Sequence, residues 1–175
     1  MAPCGSRDII IFMKNKLKAY FADFVFGSVD GLVTTFAVVS GVMGAGLSST
    51  VILILGFANL FADGFSMAAS NYLSTKSEND MGQNRKNAFG AATATFVAFI
   101  FVGFIPLMSF VFDFGSINYK VTIILTAVAF AAIGYIKGSV TGKNKGWSAL
   151  QTFGIGALAA LIAFYVGYVL ALIVN

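Results

Sequence analysis

Three aspartates, Asp23, Asp30 and Asp63, lie inside stretches of otherwise apolar residues long enough to cross a bilayer. None has a lysine or arginine within its own stretch. An ionised carboxylate in hydrocarbon is costly unless it snorkels, faces water or meets a cation. The simplest compensating partner for such acids is a positive ion in transit. Transport of a cation is therefore the first chemistry these residues suggest.

Their spacing sharpens that reading. Asp23, Gly27, Asp30 and Thr34 are four, three and four residues apart, which places them on one face of one helix. Asn59, Asp63, Met67, Ser70, Asn71 and Ser74 form a similar stripe, and Glu78 continues it beyond the apolar stretch. Two such stripes are expected to face each other or a partner subunit, not lipid. Asp and Asn offer hard oxygens, and Met67 offers a soft thioether. Magnesium or calcium would gain little from the sulfur; a mixed set suits Fe²⁺ or Mn²⁺. Packing is the alternative role for Met67. Asp23, nearer the end of its stretch, could instead snorkel or pair with Lys16 or Lys18. Acids in such a site could also carry protons and supply the counter-ion for an antiport.

Elements that could hold these residues follow from composition. Of 175 residues, 58% are hydrophobic and 10% charged, where a soluble domain has about 25% charged. Mean hydropathy is +0.88. Lipid must therefore be the solvent for most of the surface, and a lipid-exposed backbone must be helical. Five stretches can span, at about 19–43, 48–73, 88–112, 119–136 and 147–174. Pro106 should kink or end the third. The expected architecture is an all-α membrane protein with five transmembrane helices in one domain, 19–174. A basic segment, 1–18, lies on the membrane surface or is disordered, and a short loop, 74–87, joins the second and third spans.

Basic residues set the expected orientation. Arg7, Lys14, Lys16, Lys18, Lys76, Arg85, Lys86, Lys137, Lys143 and Lys145 fall on one side of a five-span chain, and Lys120 alone on the other. The basic side should be cytoplasmic, which puts the C-terminus opposite. That distribution, not nucleic-acid binding, accounts for the net charge of +4. With one cysteine and no histidine, a Cys/His zinc site, an intrachain disulfide and His-based catalysis are excluded. No enzyme and no resident cofactor are expected. Gly27xxxGly31, Ala58xxxAla62 and the run Gly134xxxGly138xxxGly142xxxGly146 offer close helix approach.

Three segments resemble the vacuolar iron transporter family. VFGSVDGLVTTFAVVSGVMGA, 25–45, resembles its first helix; GFANLFADGFSMAASNYLSTKSEND, 56–80, its second; and QTFGIGALAALIAFYVGYVL, 151–170, its last. The resemblance implies a homodimer of five-helix subunits with the ion path at the dimer interface, lined by the first helix of each. It implies export of Fe²⁺, and in some members Mn²⁺, from cytoplasm to a vacuole or out of the cell, in exchange for protons. Asp30 and Met67 match positions taken as metal ligands, and Asn59 a polar or acidic position two turns before the methionine.

The chain departs from that pattern twice. Asn71 stands where many members have an acid. The loop 74–87, whose acids are Glu78 and Asp80, replaces a long acidic metal-binding domain, as in the nodulin-like and some microbial branches. The expected metal site is Asp30, Met67, Asn59 and Asp63, the last two as supporting or proton-handling groups. Asp23, Asn71 and Glu78 are expected at the cytoplasmic entrance. The alternative is a non-transporting membrane scaffold, its aspartates serving as interhelical hydrogen-bonding groups.

Overall fold

A computed structural model describes residues 6–83 and 86–174, with side chains from Tyr20 onward other than that of Ser116. Arg85, and the side chains of Arg7, Lys14, Lys16 and Lys18, lie outside the described residues. The described chain is helical and contains no strand. The helices are α1 (Ser6–Gly44), α2 (Ser49–Asp80), α3 (Ala88–Gly103), α4 (Met108–Val111), α5 (Asn118–Thr141) and α6 (Lys145–Val174). Five spans are long and apolar enough to cross a membrane: Tyr20–Gly44, Ser49–Asp80, Ala88–Val111, Asn118–Thr141 and Lys145–Val174. The five-span, all-helical expectation is borne out.

Helix ends follow local chemistry. The third span breaks at Pro106, as expected: α3 stops at Gly103, a 3-10 turn covers Ile105–Leu107, and α4 resumes. Proline removes a donor inside a helix. Here the Thr122 hydroxyl donates to the Pro106 carbonyl at 3.3 Å, so the disturbed backbone finds a partner on α5. Ser109 and Thr122 also share a hydrogen bond. At the end of α5, Gly142 takes a left-handed conformation (φ 70°), and Lys143 N–H bonds back to the Gly138 carbonyl at 3.1 Å. An L side chain at that φ would be strained.

Two boundaries differ from expectation. The segment 74–87, expected as a loop, is helical through Asp80. Neither glycine nor proline occurs after Gly64 until Gly82, so nothing stops the helix where the apolar stretch stops. With 32 residues α2 is about 48 Å long, well beyond the hydrocarbon thickness. Similarly, α5 continues past 136 to Thr141.

Close backbone contact decides the packing. A Cβ at Gly27 would strike the Thr95 carbonyl, and one at Gly31 the Phe99 carbonyl, so α1 presses directly onto α3. At its other end α1 meets α6, where the Gly41 carbonyl fills the space a side chain on Gly167 would need. α5 approaches α6 through Gly134 and Gly138, against Ser148, Ala149 and Lys145. Helix α2 sets Gly56 against Leu107 and Gly64 against Phe99 and Ile100. Dispersion contact between small residues is what holds helices together when both sides of the equilibrium are apolar. Gly27xxxGly31 and Gly134xxxGly138 are thus real contacts, Gly142 is a cap, and Ala58 and Ala62 are exposed. The apolar core joins Val39 and Val42 of α1, Ile52 and Leu60 of α2, Phe99, Leu107 and Phe110.

Candidate functional site

The turn joining α1 to α2 is short, so the two helices run antiparallel in a fixed register. Asp30 lies fourteen residues before the end of α1 at Gly44, and Asp63 fourteen residues after the start of α2 at Ser49. At 1.5 Å per residue both sit about 21 Å from that connection, deep in the hydrocarbon. The same register sets Phe26 level with Met67, and Asp23 level with Ser70. Both helices press their glycines onto α3, and this turns their polar stripes toward each other.

Asp30 and Asp63 are both half-buried, and Asp63 lies within electrostatic reach of Asp30. Neither carboxylate has a hydrogen bond or ion pair among the described residues. Two carboxylates close together in a low-dielectric setting are stabilised by a cation between them or by a shared proton. Met67 is half-buried one turn from Asp63 and packs against the core on one side. On the other it lines a cavity of about 300 Å³ with Phe26, Ser66, Ser70, Asn71 and Ser74. Asn59, one turn from Asp63 on the opposite side, has a buried Nδ2 without a partner. Amide oxygen and nitrogen are distinguished only by their partners, so the atom buried there can equally be the amide oxygen.

Asp23 is different. It is 6% exposed. Lys86 Nζ donates to both of its carboxylate oxygens, at 2.7 Å and 2.6 Å. Asn71 Nδ2 donates to Asp23 Oδ1 at 2.9 Å and to Thr95 Oγ1 at 2.7 Å, while the Thr75 hydroxyl donates to Asn71 Oδ1 at 3.3 Å. The network ties α1, α2 and the start of α3 into one polar layer. Asp23 thus has a cation from a different segment, Lys86, and it is buried; the side chains of Lys16 and Lys18, the partners expected from sequence, lie outside the described residues. Asn71, expected to guide ions, spends its amide within the protein. Glu78 lies on the protruding end of α2, eleven residues beyond Met67 and about 16 Å away.

Sequence reasoning missed Lys86, Thr95 and Ser66. Ser66 was legible, four residues before Ser70. Lys86 could have been found from topology, because an odd and an even span place the end of α2, the start of α3 and Asp23 at one membrane level. Among the described residues no three His, Cys, Asp or Glu side chains converge on one point. One copy of the chain therefore offers a pair of carboxylates flanked by an amide, a thioether and hydroxyls, and no closed cage.

Five apolar spans, with half-buried carboxylates on the first two and a cavity lined by Met67, Asn71 and serines, define an integral membrane protein with an internal polar site. The chain belongs to the VIT family, whose model matches residues 21–88 and 80–168. It is similar to the vacuolar iron transporter of Centaurea cyanus, with 27% identity over 81% of this chain and 84% of the relative. Similar relatives include the vacuolar iron transporter of Toxoplasma gondii (25% identity; 92% of this chain, 78% of the relative). Vacuolar iron transporter 1 of Arabidopsis thaliana is another (26%; 81% and 82%). The resemblance read from residues 25–45, 56–80 and 151–170 is borne out.

Proposed function

We propose that this protein is a transporter of divalent transition metal, Fe²⁺ first and Mn²⁺ second, that moves the ion out of the cytoplasm in exchange for protons. One observation carries the reading: Asp30 on α1 and Asp63 on α2 sit at equal depth within electrostatic reach of each other, neither of them ion-paired among the described residues, with Met67 one turn from Asp63. The names of the relatives support iron as the cargo. Asp30 and Met67 are the central ligands, with Asp63 and Asn59 completing the oxygen set and Asp63 handling protons. Asp23 and Asn71 stand in the wall of the cytoplasmic entrance, and Glu78 lies beyond it.

A six-coordinate ion needs more donors than one copy brings together. A homodimer in which this site faces its counterpart supplies them. Exposed Phe26, Phe61 and Phe65 on the same two helices fit such an interface. A scaffold reading explains Asp23, whose hydrogen bonds join helices, but leaves Asp30 and Asp63 as costs without a return.

Uptake into reconstituted vesicles, one divalent ion at a time, tests the reading. Fe²⁺ should accumulate, and an acidic receiving lumen should speed it. Flux indifferent to the pH gradient would remove proton exchange and leave metal transport standing. No flux of any divalent ion under any gradient would favour the scaffold.

A further inference from the structure

Lys86 has no place in a metal site, yet its ammonium is held by Asp23, which is itself hydrogen-bonded to Asn71 of the cavity wall. Its backbone is fixed on both sides. The Asn79 side chain donates to the Lys86 carbonyl at 2.8 Å, and the Asn87 N–H donates to Tyr20 Oη at 3.2 Å. Asn87 also caps α3, accepting from the Gly90 N–H at 3.1 Å. From this anchored position the ammonium reaches inward and takes both oxygens of Asp23. The three acids of the first two spans are thus divided. One is buried and neutralised; two are half-buried and open.

Holding helices together does not explain the pair, since a buried ion pair is seldom more stabilising than apolar side chains of similar volume. Its position does. Asp23 is seven residues, or two turns, from Asp30 on the same face of α1, about 10 Å nearer the basic end. A free carboxylate there would meet an incoming divalent ion before Asp30 does, and would hold it. We propose that Lys86 is a tethered cation that masks Asp23, so that the metal's first strong carboxylates are Asp30 and Asp63. Lys86 is then a specificity-determining residue of the path, acting through Asp23. The inference rests on the transport reading above.

Anaerobic Fe²⁺ titration and vesicle flux of the full chain test it, on wild type, Lys86→Gln, Lys86→Arg and the neutral pair Asp23→Asn with Lys86→Gln. Unmasking by Lys86→Gln should add a metal-binding event or tighten Fe²⁺ binding several-fold, lower the apparent KM and slow turnover. Lys86→Arg should behave as wild type, and the neutral pair should return binding and turnover toward wild type. Should Lys86→Gln fold poorly, Asp23→Asn alone decides. It leaves an unmatched ammonium at the mouth and should slow flux at low Fe²⁺, with recovery on adding Lys86→Gln; unslowed flux overturns the proposal. Lys86→Gln binding and transporting as wild type also overturns it, as does a defect that persists in the neutral pair. A wild type that neither binds nor moves Fe²⁺ overturns the transport reading as well; one that does both isolates the failure to the mask.

Discussion

Asp23, Asp30 and Asp63 share one chemistry and differ in company. Asp23 has Lys86, Asn71 and a nearly complete hydrogen-bond set; Asp30 and Asp63 have each other. Residue types and spacing along each helix were legible in the sequence, because a period of 3.6 places i, i+4 and i+7 on one face. The identity of Asp23's partner was not, because Lys86 is 63 residues away along the chain and reaches it only once three helices have packed. Met67 raises the remaining question at this scale, since it touches both the core and the cavity. Leucine keeps its volume and removes its sulfur. Met67→Leu should reduce Fe²⁺ flux several-fold while the thermal unfolding midpoint stays within about 5 °C of wild type, as volume-conserving swaps cost about 1.5 kcal/mol or less. Unchanged flux would assign Met67 to packing.

Helices were readable from the length of the apolar stretches, and their boundaries from breakers. Pro106 marked a true break. The end of α2 was misplaced because hydropathy reports where lipid ends, not where a helix ends; Ser74 to Asp80 are polar and contain no breaker. Glycine motifs were legible as candidates only. Nothing local distinguishes Gly27, which meets the Thr95 carbonyl, from Ala58 and Ala62, which are exposed. A prediction belongs here. Gly27→Val forces α1 off α3, and shifts Asp30 relative to Asp63. Overpacking of this kind costs about 1–3 kcal/mol. The variant should show a lowered unfolding midpoint and lose most of its flux. Native stability in Gly27→Val would mean that α1 and α3 do not touch there.

As a whole, the molecule carries the acids of its spans on α1 and α2 and leaves most side chains of α6 exposed beyond that helix's contacts with α1 and α5. Five spans fit the distribution of basic residues, and the hairpin of α1 and α2 brings two carboxylates to one depth, neither of them ion-paired among the described residues. That pair of acids, with the names of the relatives, is what points to a metal cargo. Fe²⁺ flux through proteoliposomes carrying wild type or Asp30→Ala, each shown by its unfolding profile to be folded, tests it most directly. The wild type should move iron, and Asp30→Ala should fall to the leak of protein-free vesicles. A folded Asp30→Ala that carries iron at the wild-type rate would contradict the account.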